Sequence, residues 1–341
     1  MPQAVLQVTR APAFKPCFAG HSSGGLVPGP LVVSSDGARI AVLCGQTRLD
    51  IIEVAAPERV WLSVQMSRID LGQPPLGFRQ DGALFFLFGT AEWPGTPAPL
   101  ALDLEAGTVS AIPREVLDQV QTFWPSDDWA HVLVQRQDGA LALLDGFAGT
   151  ELANVSPPLT PEHIHDARFS PDGALLAVAG DRGLTLRDGV TAALHSRLDE
   201  TENPWERITW SSDGRFVYAG RAVPYRQLSR MSRGASLNEV VEFDVATGRR
   251  RGRWSSAYVL ASLSGRFVYT VTNLVRVERL ERGTGKVKLL HQRATDEGYT
   301  WTTQLLAATP DDRLVFARVD TPGGARIYAI NATNGGLQPG W

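Results

Sequence analysis

The tightest grouping of side chains that could do chemistry is His163, His165 and Asp166. Alternate residues on a strand point the same way, so the two imidazoles share a face and form a two-ligand fragment of a metal site. Zinc sites take three or four protein ligands, and no second cluster supplies the remainder. We therefore expect no metal, and read the pair as standing at the start of an inner strand, partly exposed. His21, His131, His195 and His291 are scattered singly. Cys44 lies in an apolar run where a thiol is normally inert. Lys286 follows Gly283-Thr284-Gly285, but Val287 stands where a phosphate loop needs Ser or Thr. The carboxylate pairs Asp127-Asp128 and Asp311-Asp312 fall in turns, where solvation explains them. No catalytic residue and no cofactor are expected.

The elements that would position any such group come from a repeat. A turn followed by a short apolar run returns seven times, marked by Asp36, Asp81, Asp127, Asp172, Asp213, Ser264 and Asp311, at intervals of 45, 46, 45, 41, 51 and 47 residues. Self-similarity at that period signals propeller blades. The fourth repeat shows the physics. Ile164 to Phe169 reads as a strand, Ser170-Pro171-Asp172-Gly173 as a turn, Ala174 to Ala179 as a second strand and Gly183 to Arg187 as a third. Pro171 presets φ, Asp172 bonds nearby backbone, and Gly173 takes the positive-φ position that closes a hairpin. The second strand is apolar throughout and does not alternate, so both its faces must be buried, as stacked sheets arrange. The expected fold is an all-β, seven-bladed β-propeller of four-stranded antiparallel blades, one domain over residues 1–341. Too little chain follows Gly336 for a last strand, so a strand near residues 4–8 is expected to close the final blade and remove the open edge.

Phe169-Ser170-Pro171-Asp172-Gly173 and the apolar strand after it resemble the WD-repeat propellers. The chain departs from that family in lacking a Trp-Asp pair, Arg187-Asp188 standing there in the fourth repeat, and its Gly20-His21 pair lies further from the turn than the family pattern has it. Tyr269-Thr270-Val271-Thr272-Asn273 resembles the Tyr-Val-Thr-Asn type of bacterial propeller repeat, and Asp244-Val245-Ala246-Thr247-Gly248 suits it. Both resemblances imply fold more than function.

Charge and loops carry the functional reading. Residues 1–200 hold 13 Lys and Arg against 23 Asp and Glu, whereas residues 201–300 hold 17 against 10. Such segregation steers a charged partner. The longest insertion, Arg221 to Asn238, contains Tyr225, Arg226, Arg230 and Arg233. A second insertion, Thr90 to Pro99, carries Trp93, and interblade segments add Trp205, Tyr299 and Trp301. Arg, Trp and Tyr are the residue types enriched at interaction hot spots. For Trp205 and Trp301, packing between blades is an equal alternative. We therefore expect a non-catalytic scaffold or complex subunit that holds another protein, of acidic and apolar surface, through Trp93, Trp205, Arg221, Tyr225, Arg226, Arg230, Arg233, Tyr299 and Trp301. The alternative is a small-molecule site or a lactonase- or isomerase-like enzyme at the central channel. Nucleic acid is disfavoured, because the chain is mildly acidic overall and lacks a recognisable module. No run of about 18 apolar residues spans a membrane. Two cysteines in 341 residues make a poor disulfide framework, so a reducing, cytoplasmic setting is expected.

Overall fold

One turn, repeated, organises the sheets. In the computed structural model Ser170 Oγ donates to Asp172 Oδ1 at 2.6 Å, and that carboxylate accepts the Ala174 N–H at 3.1 Å. The Leu175 N–H closes on Ser170 Oγ at 2.9 Å, and Gly173, at φ 71°, donates to the Ser170 carbonyl. The same bonds join Ser34 to Asp36, Ser126 to Asp128, Ser211 to Asp213 and Thr309 to Asp311, while Ser262 meets Ser264. In the last of the repeats Asp312 takes the left-handed position at φ 55° where others have glycine. A short polar side chain tolerates that conformation best after glycine. Asp128 holds the place in the third repeat; Asp127 and Asp81 lie outside the described residues.

Described are residues 7–10, 12, 16–17, 28–34, 36–45, 48–65, 77–78, 84–89, 98–111, 120–126, 128, 130–136, 138–146, 150–154, 163–200, 204–222, 238–256, 258–262, 264–272, 276–292, 302–321 and 324–338. Among them, strands β1 (Gln7–Arg10), β2 (Pro28–Val33), β3 (Arg39–Cys44), β4 (Arg48–Glu53) and β5 (Val60–Gln65) form a sheet in the order β1-β5-β4-β3-β2. Strands β6 (Gly77–Phe78), β7 (Leu84–Gly89), β8 (Ala98–Asp103) and β9 (Thr108–Ala111) form the next. Then come β10 (Val120–Pro125), β11 (His131–Arg136), β12 (Leu141–Asp145) and β13 (Glu151–Asn154), followed by β14 (Ile164–Phe169), β15 (Leu175–Gly180), β16 (Gly183–Asp188) and β17 (Leu194–Asp199). Two further sheets are β18 (Arg207–Trp210), β19 (Phe216–Ala222), β20 (Asn238–Asp244) and β21 (Arg250–Ser255), and β22 (Tyr258–Ala261), β23 (Phe267–Thr272), β24 (Arg276–Glu281) and β25 (Val287–Gln292). Strands β26 (Thr302–Ala308), β27 (Leu314–Thr321) and β28 (Gly324–Asn331) complete the set.

The class is an all-β propeller with four-stranded antiparallel blades, but the expectation of seven such blades is corrected. Among the described residues six sheets reach four or more strands, and β26–β28 stop at three. The N-terminal strand does not complete that last sheet. Gln7 to Arg10 instead pair with Leu62 to Gln65 and cover the outer edge of β5. At the other end Asn331 caps a turn through the N–H groups of Thr333 and Asn334, and the chain returns to β28 only as an isolated bridge between Ile330 and Leu337. One bridge cannot propagate a ladder.

The chain divides into two compact units, Met1–Asp118 with Ala294–Trp341, and Gln119–Arg293. In the first, Leu31, Ile40, Val42, Cys44 and Ile52 pack with Phe316, Ile327 and Ala329. In the second, Ala177, Leu184 and Leu186 of one sheet pack with Trp210, Val217 and Phe243 of the next. The second strands β3, β11, β15 and β23 are buried along nearly their whole length, as their largely apolar sequences require.

Candidate active site

Within residues 119–293 the first strands of successive sheets lie beside one another, β10 by β14, β14 by β18 and β18 by β22. That is the inner-strand position of a propeller. Strand β14 brings His165 there, and the partner it meets comes from the β15–β16 turn. Gly180 pairs with Gly183 across this tight hairpin, leaving Asp181 and Arg182 at its tip. Gly183 has φ 109°, and a Cβ there would lie 2.1 Å from the Asp199 carbonyl oxygen, so only glycine fits. The Asp181 N–H reaches the His163 carbonyl at 3.3 Å, and Asp181 Oδ1 lies 2.8 Å from His165 Nε2. His163 stands edge-on to His165 with ring centroids 4.7 Å apart. The β14–β15 register shifts between Ile164 and Asp166, a bulge at His165 that re-aims its side chain.

An imidazole bonded through Nε2 to a carboxylate is fixed in orientation, and the carboxylate stabilises the imidazolium formed when Nδ1 takes a proton. His165 is about one-quarter exposed and Asp181 more than half, so the pair is open to a ligand. Three residues further along β14, the half-exposed Arg168 holds its Nε 3.4 Å from Asp166. Asp166 itself serves the fold. It is buried and accepts the Ile208 N–H of β18 at 2.8 Å, while Trp210 Nε1 donates to the Arg168 carbonyl at 2.8 Å, and these two bonds tie β14 to β18. Burial pushes the Asp166 carboxyl above the usual range, against the pull of Arg168.

Of the residues expected to hold a partner, Trp93, Tyr225, Arg226, Arg230, Arg233, Tyr299 and Trp301 lie outside the described residues. The two that are described face inward: Trp205 takes its packing alternative, and Arg221 is ion-paired within the protein. Trp205 has no exposure, donates Nε1–H to Asp199 Oδ2 at 2.9 Å and stands edge-on to Phe243. The Arg221 guanidinium lies 4.3 Å from the Trp205 ring and bonds Glu239 at 3.3 Å. Arg250 and Arg253 close the network on Asp199 at 2.5 Å and on Glu239 at 2.8 Å. A buried cation and its carboxylates must be satisfied together, which is why these side chains turn in. Asp181 had no sequence signal beyond its place in a Gly-Asp-Arg-Gly turn; only the hairpin brings it to a histidine 16 residues away.

The cysteines also depart from expectation. Cys17 and Cys44 form a disulfide rather than standing as separate inert thiols, which removes the argument for a reducing compartment. With Asp50 they make the one group of three potential donors close enough to share an ion among the described residues. Their sulfurs are bonded to each other and Arg48 holds Asp50 at 2.9 Å, so the donor set does not suit a cation. No helix is long and apolar enough to cross a membrane among the described residues.

Fold and strand order define a β-propeller in which an inner-strand histidine meets a carboxylate from a hairpin turn. The chain is similar in structure to an oligogalacturonate lyase in complex with manganese, with a TM-score of 0.67 at 10% identity over 96% of each chain. It is similar also to an oligogalacturonate lyase from Vibrio parahaemolyticus, with a TM-score of 0.65 at 10% identity over 96% of this chain and 97% of that one. For the hydrazine synthase of Kuenenia stuttgartiensis the TM-score is 0.60 at 15% identity, over 92% and 95%. No family model and no curated protein sequence matches the chain. The resemblance to the seven-bladed WD-repeat family is thereby overturned: the shared turn is a general device for closing a propeller hairpin, and these similar structures carry other names.

Proposed function

We propose that the protein is an acid–base enzyme acting on a carboxylate-bearing sugar, with His165 as the proton-transferring group. The observation that carries this is the 2.8 Å pair of His165 Nε2, on an inner strand, and Asp181 Oδ1, at the tip of the β15–β16 hairpin. His165 removes a proton from the carbon next to the substrate carboxylate and Asp181 steadies the resulting imidazolium; the C–O bond at the adjoining carbon breaks, its electron pair leaves with the oxygen, which takes a proton from solvent, and the double bond forms between the two carbons. Two of the similar structures are lyases of oligogalacturonate, a substrate of this chemical class, which supports the reading over a purely structural scaffold. The test is ultraviolet detection of a new double bond, with ring isomerisation followed by NMR, on a panel of uronic acids and their oligomers. His165→Ala should lower turnover by about 10²–10⁴-fold and Asp181→Asn by less, with the melt of each unchanged. Wild-type protein that neither binds nor converts any sugar acid overturns the proposal.

A second reading has one observation in its favour. Arg221 and Glu239 are register partners at the two stems of the insertion that contains Tyr225, Arg226, Arg230 and Arg233, and their ion pair clamps its base. Such a clamp suits a loop that presents side chains to an acidic protein. Reversal of Arg226, Arg230 and Arg233 to Glu should then abolish capture of that protein, and undiminished capture would remove this reading.

A further inference from the structure

The first unit holds a second reactive group, remote in sequence from His165. Cys44 ends β3 with no exposure, while Cys17, its disulfide partner, is part-exposed. Beside them on β4, Asp50 is fully buried. Its Oδ2 lies 3.1 Å from Cys44 Sγ and accepts from Arg48 at 2.9 Å; its Oδ1 accepts from Ser63 Oγ at 3.0 Å, and the Cys17 N–H also donates to the carboxyl. Those groups face it from β3, β4, β5 and the segment before β2. A bonded sulfur has no proton to offer, so an ionised carboxylate against it would set lone pair against lone pair. A proton on Asp50 turns the contact into an O–H to S hydrogen bond.

We propose that Cys17–Cys44 is a reversible thiol–disulfide site, reduced by dithiols, in which Asp50 is the proton donor to the Cys44 sulfur. The thiolate of a dithiol attacks the accessible Cys17 sulfur. The Cys17–Cys44 bond breaks and its electron pair goes to Cys44, which would be left as a thiolate buried in apolar surroundings. Asp50 gives that sulfur its proton. The second thiol of the reductant, having lost its proton to water, then attacks the mixed disulfide. Cys17 leaves and is protonated by water, the reductant departs as a cyclic disulfide, and Asp50 regains a proton from solvent. Oxidation runs the same steps backwards, with Asp50 accepting the Cys44 proton. Burial favours the acid form of Asp50 over the opposing pull of Arg48, in the direction this role requires.

The experiment follows reduction of the oxidised full chain by dithiothreitol, trapping thiols with iodoacetamide and counting them by mass spectrometry between about pH 5 and pH 9. Thiolate attack gains with pH and donation by Asp50 is lost with it, so the wild-type rate should trace a bell. Asp50→Asn keeps the side-chain volume and cannot donate; its rate should rise monotonically and fall roughly tenfold or more below wild type on the acid side. Ser63→Ala leaves the carboxyl in place without one stabilising bond to its ionised form, and should move the falling limb to higher pH. A monotonic wild-type profile, or an Asp50→Asn profile that matches wild type, overturns the proposal. Should Asp50→Asn fail to fold, an unmoved limb in Ser63→Ala overturns it instead.

Discussion

Single carboxylates decide how this chain answers to acid. Asp36 and Asp172 are held below the usual carboxylate range, first by the hydroxyls of Ser34 and Ser170 and then by the N–H groups of Ala38 and Ala174. Asp244 is lowered likewise, by the Thr247 hydroxyl and then its N–H. A carboxyl whose folded pKa is depressed contributes stability that is present above its unfolded pKa and lost as pH falls through the folded one. Their contributions should therefore be present at about pH 4 and above and be lost below it, seen as a fall of Tm in scans by circular dichroism. Asp172→Asn should make that acid slope shallower. Asp166 and Asp50 run the other way, since burial raises both and their protonated forms are favoured by folding. Ser170, Pro171, Asp172 and Gly173 were legible as a turn because each acts on backbone within a few residues. Asp181 was not, because its partner is reached only across a hairpin.

At the level of elements, the β15–β16 hairpin and the β19–β20 pair are held by packing that a local pattern does not show. Gly183 sits where any side chain meets the Asp199 carbonyl, so Gly183→Ala should cost about 2–4 kcal/mol and lower activity as well, by displacing Asp181. Measured stability within about 0.5 kcal/mol of wild type would show that the hairpin adapts. The Arg221–Glu239 pair is nearly buried on both sides, with side-chain exposures of 10% and 8%. Glu239→Gln leaves Arg221 facing Asp199 at 3.9 Å, so the loss of the closer charge should cost about 1–3 kcal/mol, read from urea unfolding. Arg253 and Arg250, on the exposed strand β21, are half or more exposed, and replacing either should matter far less. The sequence shows Arg249 to Arg253 only as a run of positive charge after the Thr247-Gly248 turn. That these arginines reach back to buried carboxylates it does not show.

For the molecule as a whole, the disulfide is the long-range covalent constraint. It closes a separation of 27 residues and ties the segment around Cys17 to the core that Cys44 shares with Phe316 and Ile327. Paired Cys17→Ser and Cys44→Ser should cost about 3 kcal/mol, and dithiothreitol should lower the wild-type melt to that of the variant while leaving the variant unmoved. The sequence by itself determined the all-β class, the blade period and the turn chemistry, because the hairpin turns that recur every 41 to 51 residues are written in side chains that act on neighbouring backbone. Tertiary structure alone decided that β1 covers β5 rather than completing the sheet of β26–β28, that Trp205 and Arg221 turn inward, that Cys17 meets Cys44 and that Asp181 meets His165. Each of those depends on which distant strand lies alongside. That choice is set by the competition for edges and buried volume across the folded chain, which local periodicity does not encode.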